Sequence, residues 1–154
     1  MRAVAQRVRS ASVAVDGRVC AEIGPGLCVF AAAGRGDGPA DVAYVGGRLA
    51  GLRIFPAAPG SAGPERMQRS ALESGGAVLL VPQFTLYGDV RRGRRPDFTA
   101  AAPAEEGRAL LVALAEHLRA AGLPVAEGVF GADMRVRADG DGPVTILVDS
   151  RRVF

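Results

Sequence analysis

The chain has 154 residues, a formal charge of +3 carried by 19 arginines against 16 acidic residues, and no lysine. With 49% hydrophobic and 23% charged residues it is compositionally globular, which excludes intrinsic disorder, and no apolar run approaches the roughly 20 residues of a membrane-spanning helix. The length suits one domain with one core, and two cysteines and one histidine leave no material for a disulfide framework, a zinc cluster or a histidine-based centre.

Residues Arg2 to Val15 alternate as a strand, with Val4, Gln6, Val8, Ser10 and Ser12 on one side, and Asp16-Gly17 is a two-residue hairpin signal before a second strand, Arg18 to Glu22. Gly24-Pro25-Gly26 turns the chain into Leu27 to Ala33, a short, fully apolar run that reads as a buried central strand. The loop Gly34 to Gly38 contains Arg-Gly-Asp, read as chance because the first residues lack an export pattern; a cytoplasmic location is the expectation. Pro39 suits the first turn of a helix that carries Val42, Val45, Leu49 and Leu52 at helical spacing, with Gly46-Gly47 allowing close packing on the sheet. Pro56 to Pro64 is rich in Ala, Pro, Gly and Ser and reads as a surface loop. Cys20 and Cys28, without metal-ligand spacing, read as buried free thiols.

The centre of the chain is the run Val78 to Asp89, apolar first and then polar. Pro82 removes a ladder donor, and Gln83 and Thr85 then alternate with Phe84 and Leu86, so a strand end is expected to present Gln83 and Thr85 together. Arg91, Arg92, Arg94 and Arg95 follow; the cluster fits either phosphate contacts or a solvated loop, and no interleaved aromatic residue supports base stacking. Pro103 opens a helix that ends at Gly122, with Leu110, Leu111, Leu114 and Leu118 as its core stripe and His117 as a structural neighbour. Val125 to Val148 supplies two or three further strands, including Phe130 to Met134 and a hairpin whose tip is Asp139 to Thr145. Within that tip Gly142-Pro143 is the one bond type that adopts cis at modest cost, and a cis turn there makes a clamp of backbone carbonyls. Arg151 to Phe154 reads as a frayed tail.

The motifs PQFTLY (82–87), GRRPDFTAAAP (93–103), FGADMRV (130–136) and DGPVTILVDS (141–150), with the opening stretch 1–27, resemble the D-aminoacyl-tRNA deacylases of the bacterial and eukaryotic type, from Met1 to about Ser150. The resemblance implies a single α+β domain over 1–150, a mainly antiparallel, barrel-like sheet with two principal helices. It also implies a cytoplasmic homodimer that hydrolyses the ester of D-aminoacyl-tRNA or glycyl-tRNA, with no cofactor and no metal. By the same resemblance Gln83, Phe84 and Thr85 would be the catalytic group, the Phe84 and Thr85 amides serving as oxyanion donors. Pro82, Phe130, Ala132, Met134, Gly142 and Pro143 would bind substrate, the last two from the partner subunit as a chirality filter made of main-chain atoms, and the arginine cluster would contact tRNA. Three positions depart from the family's pattern: Pro82 stands for Ser, Gly140 for Asn and Gln68 for Asn. A diverged enzyme acting on another aminoacyl ester, and a protein that binds aminoacyl-tRNA ends without hydrolysis, are the alternative readings.

Overall fold

The computed structural model describes residues 1–58 and 67–153, so most of the expected 56–64 loop, together with Arg66 and Phe154, lies outside the described residues. The elements are β1 (Arg2–Val15), β2 (Arg18–Ile23), β3 (Gly26–Ala32), α1 (Pro39–Gly51), β4 (Phe55–Pro56), β5 (Met67–Arg69), β6 (Ala77–Pro82), a 3-10 turn (Phe84–Tyr87), α2 (Ala104–Ala120), β7 (Val125–Glu127) and β8 (Arg135–Asp149). Six strands form one sheet, β2-β1-β3-β6-β7 with β8 also paired to β1, curled into a barrel-like form; β4 and β5 pair separately. The pairs made by β1 are antiparallel, while β3-β6 and β6-β7 are parallel. Among the described residues no helix is long and apolar enough to cross a membrane.

Strand β6 is buried on both faces, which is why its sequence is continuously apolar. Val78 and Leu80 pack towards α1 and α2 with Leu27 and Val29 of β3, Val45 and Leu49 of α1, and Leu114 and Leu118 of α2. Leu79 and Val81 point the other way, into a second cluster with Val8, Val13 and Cys28. Burial pushes the Cys28 thiol up to about 11, whereas Cys20 is exposed, contrary to the expectation of two buried thiols. Gly26 is required at the β3-β6 seam, since a methyl there would lie 1.9 Å from the Ala77 carbonyl oxygen. Gly46 does allow close packing, but on α2: the His117 ring occupies the space its Cβ would take.

Three sequence expectations are corrected. The buried positions of β1 run Ala3 and Ala5, then Val8, then Ala11 and Val13, changing phase on each side of Val8, where the pairing with β8 shifts register. Phe130 to Met134 is a turn rather than a strand. The expected hairpin at 139–145 is no chain reversal: β1 is long enough to pair with Ala138 and Asp139 as well as with Thr145, Ile146 and Leu147, so β8 runs straight through. The turn-forming residues are used instead in a bulge, in which 141–144 stand opposite the single residue Arg7, between the pairs Gln6-Thr145 and Val8-Gly140.

Candidate active site

Strand β6 stops at Pro82, whose partner Ala31 is the last residue of the β3-β6 register. Gln83 donates its N–H to the Ala31 carbonyl at 2.9 Å, and the chain then winds into the 3-10 turn, with Leu86 N–H on Gln83 O at 3.2 Å and Gly88 N–H on Thr85 O at 2.9 Å. Gln83 and Thr85 are therefore not two positions on one face of a strand: the ladder to β3 ends with the Gln83 N–H bond, and the chain leaves the sheet at Phe84. They meet all the same: Gln83 Nε2 donates to Thr85 Oγ1 at 3.0 Å. The N–H groups of Phe84 and Thr85 open the turn, where no internal acceptor exists for them.

The turn edges a cleft of about 800 Å³. Its walls come from the end of β3 (Ala31, Ala32, Ala33), from Pro82 to Thr85, from Phe98 and Ala101 to Pro103, from Gly107 and Leu111 of α2, and from the 130–136 segment. Of the residues singled out from the sequence, Pro82, Gln83, Phe84, Thr85, Phe130, Ala132 and Met134 all line it. The exposed Phe84 ring meets Phe98 edge-on at 5.2 Å, and the Arg108 guanidinium lies 5.1 Å from the Phe130 ring centre. Pro82 and Met134 are brought together over Gly128, where an added Cβ would lie 3.0 Å from the Met134 sulfur and 3.3 Å from Pro82 Cδ. The Thr85 hydroxyl has no histidine or carboxylate partner among the described residues, so nothing there activates it as a nucleophile.

Gly142 and Pro143 do not line this cleft; they are exposed on the β8 bulge, joined by a cis peptide, with Gly142 at φ +128°. The bulge is gripped by Arg7. Its Nε reaches the Asp141 carbonyl at 3.1 Å and the Asp141 carboxylate at 2.9 Å, and its other arm donates to the Ile54 carbonyl. Gly140 sits in the ladder opposite Val8, at the start of the bulge, where an added Cβ would meet open space.

The arginine cluster also lies outside the cleft, on a loop closed by mutual backbone bonds between Asp89 and Asp97 at 2.8 and 2.9 Å. Arg91 is engaged by Asp89, with contacts of 2.6 to 3.1 Å that hold the Asp89 carboxyl well below the usual carboxylate range. Arg92, Arg94 and Arg95 are exposed.

A sequence profile of the family described as D-Tyr-tRNA(Tyr) deacylase matches residues 4–149. The chain belongs to that family. It is 51% identical to the D-aminoacyl-tRNA deacylase of Heliobacterium modesticaldum, over 98% of this chain and 97% of the relative. It is also 51% identical to the D-aminoacyl-tRNA deacylase of Anaeromyxobacter dehalogenans over the full length of both. The solved structure of a protein named c-Myc DNA Unwinding Element Binding Protein superposes with a TM-score of 0.88 at 34% identity, covering 97% of this chain and 98% of that one.

Several residues that shape the cleft of this deacylase-family chain escape a reading by motif. Phe98, Ala101 and Ala102 fall inside the GRRPDFTAAAP stretch, but nothing in their type marks them as cleft walls. Arg35 ties the same stretch down, its Nε on the Thr99 carbonyl at 2.6 Å and its N–H on Ala100 O at 2.9 Å. Arg7 carried no signal at all, since its partner Asp141 is 134 residues away.

Proposed function

We propose that this chain hydrolyses the ester joining a D-amino acid, or glycine, to the terminal ribose of tRNA, in the cytoplasm and as a homodimer. The observation that carries the reading is that Phe84 and Thr85, whose N–H groups open the 3-10 turn, both line the cleft, in a chain matched by the D-Tyr-tRNA(Tyr) deacylase profile from residue 4 to 149. Two convergent N–H groups beside an ester carbonyl stabilise the oxyanion that develops as water, or the neighbouring ribose hydroxyl, attacks. Gln83 steadies Thr85 and offers its amide to the adenosine, while Pro82, Phe130, Ala132 and Met134 form the apolar bed of the acyl end. Gly142 and Pro143, exposed on their bulge, reach the partner's cleft and exclude L side chains with main-chain atoms.

The direct test is incubation with D-Tyr-tRNA, glycyl-tRNA and L-Tyr-tRNA. Release of the first two and sparing of the third is expected; a different substrate profile supports a diverged enzyme. The name of the DNA-binding relative at 34% identity favours a second reading, nucleic-acid binding without turnover, which predicts tight tRNA retention and no release.

Thr85→Ala is expected to lower kcat by no more than about 10-fold, the effect of removing one neutral hydrogen bond, because the hydroxyl is not the nucleophile. Trapping of an acyl group on wild-type Thr85 would overturn this. Replacing Arg92, Arg94 and Arg95 by Ala is expected to weaken tRNA binding and flatten its dependence on salt, by about 0.7–0.9 in the log-log slope for each phosphate that an arginine no longer neutralises. Arg91, already held by Asp89, contributes less.

A further inference from the structure

The 3-10 turn that carries the Phe84 and Thr85 amides is fastened from behind, away from the cleft. Its one buried side chain is Tyr87, packed with Ala32 and Ala101. Gly34 makes the room, since a methyl group there would lie 2.6 Å from the Tyr87 oxygen. The Tyr87 hydroxyl donates to Asp37 Oδ2 at 3.3 Å, and the fully buried Asp37 carboxylate is itself fixed by the Gly34 N–H at 2.6 Å, the Arg151 guanidinium at 3.0 Å and the Met1 ammonium. Arg151 thus belongs to this network rather than to a loose tail. On the other side of the ring the Arg2 guanidinium lies 4.5 Å from its centre, donates to the Leu86 carbonyl at 3.1 Å and pairs with Asp149 at 3.0 Å. Neither Arg2 nor Tyr87 lines the cleft.

We propose that Arg2 and Tyr87 are positioning residues for the deacylation centre, clamping the turn so that the Phe84 and Thr85 amides keep one direction; the proposal rests on reading those amides as the oxyanion donors. The Leu86 carbonyl is held by Arg2 while the Leu86 N–H is held by Gln83 O, so the peptide planes of the turn are constrained at both ends. A purely apolar anchor would let so short a turn rock, whereas a guanidinium fork and a hydroxyl aimed at a fixed carboxylate impose direction. Burial first, and then the nearby Asp37 charge, raise the ionisation of the Tyr87 phenol far above its ordinary range, so it stays a donor throughout the working pH range. A misplacement of about 1 Å in a catalytic group costs roughly 100-fold in rate, which sets the scale of what such a clamp protects.

The test compares Tyr87→Phe, Arg2→Ala and Arg2→Lys by steady-state kinetics on D-Tyr-tRNA, by affinity for a non-hydrolysable amide of D-tyrosine with 3'-amino-adenosine, and by amide hydrogen exchange. Tyr87→Phe, which keeps the ring, is expected to lower kcat by about 3- to 10-fold, and Arg2→Ala by about 10- to 100-fold, the range of a sub-ångström to 1 Å displacement. KM and affinity for the amide stay within about twofold by the same logic, since ground-state contacts are unchanged. Exchange accelerates at residues 84–87, and Arg2→Lys restores only part of kcat. Unchanged kcat, or kcat, analogue affinity and melting temperature falling together, overturns the proposal. Should the wild type fail to release any aminoacyl group, the donor reading falls and exchange alone judges the clamp: acceleration confined to 84–87 supports it, and unchanged exchange overturns it.

Discussion

Phe84→Pro is expected to lower kcat on D-Tyr-tRNA by about 10²- to 10³-fold, the effect of deleting one oxyanion donor, while Phe84→Ala retains most of the activity. Both variants remove the ring, and with it the edge-on packing against Phe98, which stabilises by about 1 kcal/mol. Only the proline also removes the N–H. The position suits the comparison, because Phe84 is the first residue of the turn, where proline is tolerated, and Gln83 before it, at φ −150° and ψ 84°, lies clear of the α region that a following proline disfavours. The bonds that close the turn, Leu86 N–H to Gln83 O and Gly88 N–H to Thr85 O, do not involve the Phe84 N–H. Single-turnover kinetics with a melting curve for each variant checks the expectation. Equal activity of the two variants would remove the Phe84 amide from the chemistry and leave the reaction to be explained by Thr85 or by water alone.

The elements that sequence periodicity identifies here are those whose pattern has one structural solution. Val78 to Val81 is apolar at every position because both faces of β6 are covered, and Asp16-Gly17, at φ +50° and +79°, can hardly be anything but a tight hairpin. The failures have a common cause, which is that local composition does not encode the length of the partner. Asp-Gly-Asp-Gly-Pro serves a hairpin tip or a bulge equally well, and what decides is that β1 extends far enough to pair with both halves of β8. Likewise Gln-Phe-Thr-Leu satisfies a two-residue period over four positions, too few to separate a strand end from one 3-10 turn, and the end of the β3-β6 register decides. The cleft lining was legible through Pro82 to Thr85 and the 130–134 segment. The supports of the 3-10 turn and of the β8 bulge were not: Arg2 grips a carbonyl 84 residues away and Arg7 one 134 residues away, and no local pattern marks an arginine for a distant backbone oxygen.

Arg7→Ala is expected to lower both stability and the preference for D over L substrates. The Arg7 side chain is only 11% exposed and Asp141 33%, so truncation leaves a half-buried carboxylate with, among the described residues, the longer contact to Arg9 at 3.7 Å, and removes the Arg7 bond to the Ile54 carbonyl. Charge-assisted bonds of this kind contribute about 1.5–3 kcal/mol, which for a chain of this size lowers the melting temperature by roughly 5–10 °C. The functional consequence is separate. Arg7 holds the Asp141 carbonyl, one residue before Gly142-Pro143, and so fixes the direction in which the bulge projects. The proposed filter of main-chain oxygens discriminates only while those oxygens are aimed, and each 1.4 kcal/mol by which misorientation weakens it narrows the D-to-L ratio of kcat/KM about tenfold. Arg7→Lys keeps the charge but not the fork that spans Asp141 and Ile54, so it is expected to recover stability more fully than discrimination. Measured with D-Tyr-tRNA and L-Tyr-tRNA, an unchanged ratio in Arg7→Ala despite a lowered melting temperature would show that the bulge holds its direction without Arg7. A ratio that collapses while kcat on the D substrate survives would place the selectivity of the enzyme in the backbone that Arg7 steadies.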